Sequence, residues 1–226
     1  MKKIAFSQKL SYKTKQEYVY HILREAIMDG SLAPGEKLTI SDIAKQLEVS
    51  AIPVREALQL LVSEDLVSYN AHMGAIVAPI TKESVEETFA IKEGLESIAA
   101  RYATKNMSSQ HIKRLQDILT EMDDLLESQN FDQWGQLNAE FHGMIVDIAT
   151  MPTLKTMHSK IVDKWDRIHH YFFNEMLNHR HVQSQEEHYQ ILTAFKAGKS
   201  DEAEHLTKTH NQHALKDYMA NLERES

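Results

Sequence analysis

The chain has 226 residues, is 42% hydrophobic, contains no cysteine and carries a formal net charge of −8. That length accommodates one large domain or two ordinary ones; the missing cysteine excludes disulfides and thiolate metal sites, and no apolar run approaches the ~20 residues of a membrane span. Residues 1–80 hold nine basic and nine acidic side chains and the remainder holds sixteen and twenty-four, so any contact with a polyanion belongs to the first part. The N-terminal lysines precede no long apolar stretch and do not read as a signal peptide, which makes a soluble cytoplasmic protein the expectation.

In chain order, residues 15–29 carry Tyr18, Ile22, Ala26 and Ile27 at helical spacing, with Gly30 as the stop. Residues 30–38 read as a loop around a Pro34-Gly35 turn. Residues 41–48 read as a short helix opened by Ser41 and facing inward through Ile43, Ala44 and Leu47. A tight connection through Glu48 and Val49 leads to Ser50 and a further helix that runs to about Ser63. Residues 66–70 and 75–79 favour strands, and residues 71–74, with Gly74, form the turn between them. Helix, helix, turn, helix, hairpin is the order of a winged helix-turn-helix.

After Pro79 the texture changes. No strand-like alternation follows, and six helical stripes succeed one another at residues 82–105, 109–128, 131–150, 153–176, about 181–197 and 200–222. The first of these is expected to face inward through Val85, Phe89, Leu95, Ile98, Ala99 and Tyr102. The fold class is therefore mainly α: a winged helix-turn-helix domain over 1–79 and an all-α antiparallel helical bundle over 80–226, joined near residues 80–84.

The helix after Ser50 has an unusual first turn. Ser50 is positioned to cap it. Pro53, at the third helical position, loses no internal hydrogen bond and fixes φ. The free N–H groups and the helix dipole favour an anion there, and Arg55 adds a planar fork of donors suited to phosphate or guanine. Val54, Ala57, Leu58 and Leu61 face the core. A lone arginine in this place could equally pair with Glu56 or Glu36.

Residues 30–67 together with residues 73–77 resemble the DNA-binding domain of GntR-type bacterial transcription regulators, with the Pro-Val-Arg-Glu-Ala-Leu segment at residues 53–58 as the specific core. The remainder resembles the effector domain of the FCD branch, the branch named after the fatty-acid regulator. The resemblance implies that Arg55 contacts DNA from the recognition helix and that Gly74 at the wing tip approaches the minor groove. Two places where many members carry arginine are Ala51 and Ser41 here, which leaves fewer specific donors. Lys45, His72 and the N-terminal lysines are then the expected backbone contacts.

Thirteen histidines is a high count. His179 and His181, in a polar stretch, read as solvated. His142 shares a stripe with Asn138, Ile145, Val146 and Ala149; His188 shares one with Ile191, Leu192 and Phe195; His210 shares one with Ala203, Leu206 and Ala214. Three helices thus each aim a histidine inward. A single buried histidine is usually neutral and hydrogen-bonded, but neutral imidazole is also the common nitrogen ligand for zinc or nickel. Asn138 and His142, four apart, put two potential ligands on one helical face. His158 and His169 fall on an apolar face with Ile161, Val162, Trp165 and Phe172. The carboxylates Glu140 and Glu187 adjoin ligands in sequence and so point to other faces.

The resemblance implies a divalent metal, Zn or Ni, held by Asn138, His142, His188 and His210, with asparagine standing where metal-binding FCD domains have aspartate. It also implies a small carboxylate effector beside the ion. Lys92 stands where the family has an assisting arginine, and Met151 where it has asparagine; Lys92, His158, Trp165 and His169 are the candidate effector residues. The function implied is a non-enzymatic, ligand-responsive regulator, a homodimer on a near-palindromic duplex operator with no membrane partner. The alternative is a regulator whose metal-free pocket senses a different molecule, and the third reading is a metal-dependent hydrolase.

Overall fold

In a computed structural model of the chain, residues 12–172 and 178–225 are described. They form α1 (Lys15–Met28), α2 (Ile40–Gln46), α3 (Ala51–Ser63), β1 (Val67–Asn70), β2 (Gly74–Val77), α4 (Lys82–Asn106), α5 (Ser109–Glu127), α6 (Phe131–Ile148), α7 (Pro152–Phe172), α8 (Asn178–Lys196) and α9 (Ser200–Glu225). The architecture is mainly helical with a two-stranded wing. The described residues divide into two units: the stretch up to Thr81 with Asp166–Tyr171, and the stretch Lys82–Trp165 with the chain from Phe172 on.

In the first unit α1 starts where Thr14 caps it, the hydroxyl accepting from the Glu17 amide at 3.0 Å. It ends at Gly30, whose φ of +72° suits a residue without Cβ. Its inner face, Val19, Ile22, Leu23, Ala26 and Ile27, packs on α3 through Val54, Ala57, Leu58 and Leu61. The second helix begins earlier than the sequence indicates. Thr39, not Ser41, holds the N-cap position, because its carbonyl already accepts from the amides of Asp42 and Ile43. The turn to α3 puts Glu48 in the left-handed region at φ 53°. β1 and β2 pair antiparallel from Val67 opposite Val77 to Asn70 opposite Gly74. The Asn70 carboxamide oxygen closes the turn by accepting from the amides of His72 and Met73, at 2.9 and 3.2 Å.

The second unit is the six-helix domain. α4 packs along α9 and α6, α5 along α6 and α8, and α8 along α9. The core runs through Ala99, Leu115, Ile118, Leu119, Met122, Phe141, Ile145, Ile191 and Phe195. The inner face of α4 differs from the expected stripe. Ile98 and Tyr102 are 41% and 43% exposed, whereas Lys92 and Glu96 are 5% and 2% exposed. Apolarity alone misassigned the face. Two charges four residues apart can turn inward as a pair, and their partners lie on other helices. No helix among the described residues is long and apolar enough to cross a membrane.

Candidate nucleic-acid interface and metal centre

The first candidate site is the head of α3. Ser50, Ala51 and Arg55 are exposed, while Pro53 and Val54 are buried and anchor the helix. Ser50 has cap backbone geometry, φ −75° and ψ 167°, but its hydroxyl makes no capping hydrogen bond, contrary to expectation. The first-turn N–H groups are thus left for an external acceptor. Arg55 makes no ion pair or hydrogen bond among the described residues, so the pairing with Glu56 or Glu36 does not occur; Glu36 instead accepts from the Ala33 amide. Ser41, Lys45, His72 and Gly74 are all exposed, on α2, in the wing turn and at the start of β2. Gly74 has φ +81°, and a Cβ there would meet nothing within 4 Å, so the glycine serves the turn. The N-terminal lysines at positions 2, 3 and 9 lie outside the described residues.

In the second unit α6, α8 and α9 each contribute one histidine to a single buried group. Ligand-type nitrogens of His142, His188 and His210 all lie within 4.8 Å of one another. Their ring centroids stand 4.7–5.3 Å apart. His142 Nε2 and both ring nitrogens of His188 are buried without a hydrogen-bond partner. Buried imidazole nitrogens are costly in that state, so the donor set fits a cation. Burial is the main reason that all three histidines titrate below their ordinary range, which keeps them neutral and able to donate a lone pair. Asn138 is also buried, one turn before His142 on α6, and its amide makes no hydrogen bond among the described residues.

Two carboxylates stand behind this group; the sequence reading passes over Glu96 and, wrongly, turns Glu187 to another face. Glu96 of α4 lies 3.3 Å from His142 Nδ1. Its oxygens also meet Lys92 Nζ at 2.9 Å, Asn211 Nδ2 at 2.9 Å and His158 Nε2 at 3.0 Å. Burial alone pushes this carboxyl up, but His142, Lys92 and the bond to His158 outweigh it and hold it well below the usual range. Since His142 is neutral, Lys92 is the cation that matters. Glu187 adjoins His188 in sequence yet reaches across to α9, 2.7 Å from His210 Nδ1. Burial works against its ionisation too, but bonds to His210 and Arg180 bring it down to about 2. A carboxylate on Nδ1 fixes the tautomer and presents Nε2 to an ion, the usual arrangement behind metal-bound histidine. The signal for Glu96 was its i, i+4 spacing from Lys92; nothing in the sequence placed Glu187 beside His210.

Of the four residues expected to line an effector cavity, three come together. Lys92, buried and not solvated, also donates to Asn211 Oδ1 at 3.0 Å, and its ammonium lies 5.4 Å from the Trp165 ring centroid. His158 joins them through Glu96. His169 is half-buried in Asp166–Tyr171, the stretch that groups with the first unit. Glu140 pairs at the surface with Arg114. His181, expected in solvent, is 3% exposed and stacks on Phe131 with an edge contact to Trp134. Arg180, Ser184 and Gln185 are buried with it, so the polar stretch that suggested solvent is itself part of the interior.

A winged helix with an open recognition-helix head, followed by a helical domain with a buried polar centre, defines a transcription regulator with a DNA-binding part and an effector part. Residues 15–77 match the bacterial regulatory proteins of the gntR family, and residues 87–213 match the FCD domain. The chain belongs to the GntR family of transcription regulators, with an FCD effector domain. It is similar to the HTH-type transcriptional regulator McbR of Escherichia coli strain K12, at 30% identity over 183 residues, covering 80% of this chain and 81% of that one. The solved structure of E. coli McbR/YncC superposes with a TM-score of 0.71 at 25% identity, covering 92% and 98% of the two chains. The metal-free FCD domain of TM0439 shares the fold, at TM-score 0.55 and 19% identity over 65% of this chain and 99% of that one. These relatives are regulators, not enzymes, which disposes of the hydrolase reading.

Proposed function

We propose that the protein is a homodimeric regulator. It grips a near-palindromic duplex operator through α3 and the wing, and its grip changes when a small carboxylate binds beside a divalent ion in the helical domain. The observation that carries the effector half is the buried trio His142, His188 and His210, with Glu96 and Glu187 behind two of its members. Zinc or nickel suits three imidazoles, with the Asn138 oxygen as a further neutral donor. When bound, the ion supplies an electrophilic anchor for an oxygen ligand. Glu96 and Glu187 hold the His142 and His210 rings, and Lys92, His158 and Trp165 form the adjoining wall.

On the DNA side, Arg55 reads or clamps the major groove, Ser50 and the open amides of α3 take a phosphate, and His72 and Gly74 bring the wing to the backbone. Lys45 adds a phosphate contact without sequence information. Two such heads about 34 Å apart fit successive major grooves. The effector acts only so far as it binds one arrangement of the heads better than the other.

The experiment is selection of bound duplexes from a random pool by tag-free protein, followed by ion analysis after dialysis. A recovered inverted repeat and a retained stoichiometric ion are expected. A pool with no enrichment over scrambled competitor rejects the DNA half, and an ion-free protein that still answers to a metabolite favours a metal-free pocket.

A further inference from the structure

We propose that Ile52 reads a thymine of the operator through the base's 5-methyl group, which makes it a specificity-determining residue beside Arg55. The proposal rests on the DNA reading above and names what one part of that interface recognises.

Ile52 is 67% exposed, the most exposed large apolar side chain among the described residues. A scattered apolar side chain on a surface needs no special reason, but the place of this one is particular. It is the second residue of α3, and the first turns of a recognition helix are the part that meets base edges. Arg55 follows Ile52 by three residues and Ala51 by four, so the three share one patch of the helix surface. All three are exposed. The opposite face is fixed, because Val54, Ala57, Leu58 and Leu61 are fully buried and Pro53 is buried with them. The helix therefore cannot turn Ile52 away from whatever Arg55 meets. A β-branched side chain has one strongly preferred rotamer in a helix, so little freedom is lost when a partner covers it. Glu56 and Gln59 continue the exposed stripe farther from the helix head.

The chemistry of the patch selects the base. Arg55 is its polar member, with a fork of donors suited to guanine or phosphate. The side chains of Ala51 and Ile52 neither donate nor accept a hydrogen bond. In the major groove every base presents donors or acceptors, and thymine alone adds a methyl group. Covering a guanine, adenine or cytosine edge with Ile52 strips water from polar atoms and returns no hydrogen bond. Contact with the thymine methyl instead removes apolar surface from water on both partners. One side chain thus favours one base and disfavours the other three. It also adds no charge, so what it contributes is sequence preference and not general attraction to the phosphates.

The test uses the full tag-free chain and the operator recovered from a random duplex pool. Each thymine of the half-site is replaced in turn by deoxyuridine, in both half-sites together, which removes the methyl group and leaves the pairing edge intact. Fluorescence anisotropy at one fixed salt concentration compares the duplexes on the wild-type protein and on Ile52→Ala. For the wild type, one such replacement is expected to weaken binding by about tenfold or more, because a lost methyl contact is worth about fourfold and enters twice. Ile52→Ala is expected to bind the thymine and deoxyuridine duplexes equally well. Its melting temperature should not fall, since the side chain is exposed and alanine is the better helix former. A deoxyuridine penalty of the same size in both proteins overturns the proposal, as does a half-site in which no thymine shows a penalty on the wild type. A pool with no enriched sequence rejects the DNA reading itself, and this proposal with it.

Discussion

Arg55 is held at the surface by a helix whose neighbouring Pro53 and Val54 are buried, and it makes no ion pair among the described residues. Its donors are free for DNA at no cost in broken contacts. Arg55→Ala is expected to weaken operator binding by about 1–3 kcal/mol with little change in stability; fluorescence anisotropy against a matched non-specific duplex, with a parallel urea melt, measures both. The Lys92–Glu96 pair behaves in the opposite way. Glu96→Gln leaves a buried ammonium without its counter-charge, for which about 3–5 kcal/mol of destabilisation is expected. Lys92→Met combined with Glu96→Gln should cost less than the sum of the two single changes, and urea unfolding of the four proteins gives the coupling. Additive losses would mean that the two charges do not compensate each other.

At the scale of the element, the N-caps of α1 and α3 make a controlled comparison. Thr14 makes its capping bond and Ser50 does not. Thr14→Ala is therefore expected to cost about 1 kcal/mol of stability, and Ser50→Ala less than half of that. Chemical denaturation of the free protein checks the pair. If Ser50→Ala nevertheless weakens DNA binding, its hydroxyl serves phosphate and not the helix. Helices of this chain were largely legible beforehand because their apolar stripes repeat at the helical period, and α3 and α5 fall within a residue or so of their expected limits. Faces were less legible. In α4 the apolar Ile98 and Tyr102 point outward, and the charged Lys92 and Glu96 point inward, since the sum over partners on other helices, not the side chain alone, decides what is buried.

For the whole molecule, the homodimer proposed above can be assigned a face, the outward side of α4. Ile91, Ile98 and Tyr102 are 41–45% exposed, and Gly94 between them has nothing within 4 Å of where a Cβ would be. A glycine inside an exposed helix costs about 1 kcal/mol relative to alanine, a cost offset if a second helix packs closely there. The face is also self-complementary. Glu87 marks its beginning and Lys105 its end, so two copies of α4 running antiparallel set Ile91 of one against Ile98 of the other and bring opposite charges to both ends. A second copy of the chain is the occupant we assign. Ile98→Glu should raise the dimer dissociation constant at least about tenfold, because the change enters the interface twice. Sedimentation velocity over a concentration series reads this directly, and an unchanged dimer would place the interface elsewhere.

The residue order by itself determined the two-part organisation, the winged helix, the all-helical remainder and the inward aim of His142, His188 and His210. Those features follow from local periodicity, turn chemistry and a short specific motif. Only the tertiary structure decided which carboxylates join the histidines. Glu96 and Glu187 come from α4 and α8 and reach rings on α6 and α9. The sequence distances are 46 and 23 residues, and no one-dimensional pattern carries the directions in which four packed helices turn their faces. It likewise decided that Lys92 is a buried partner of Glu96, because charge burial is a balance struck among neighbours that meet only after folding.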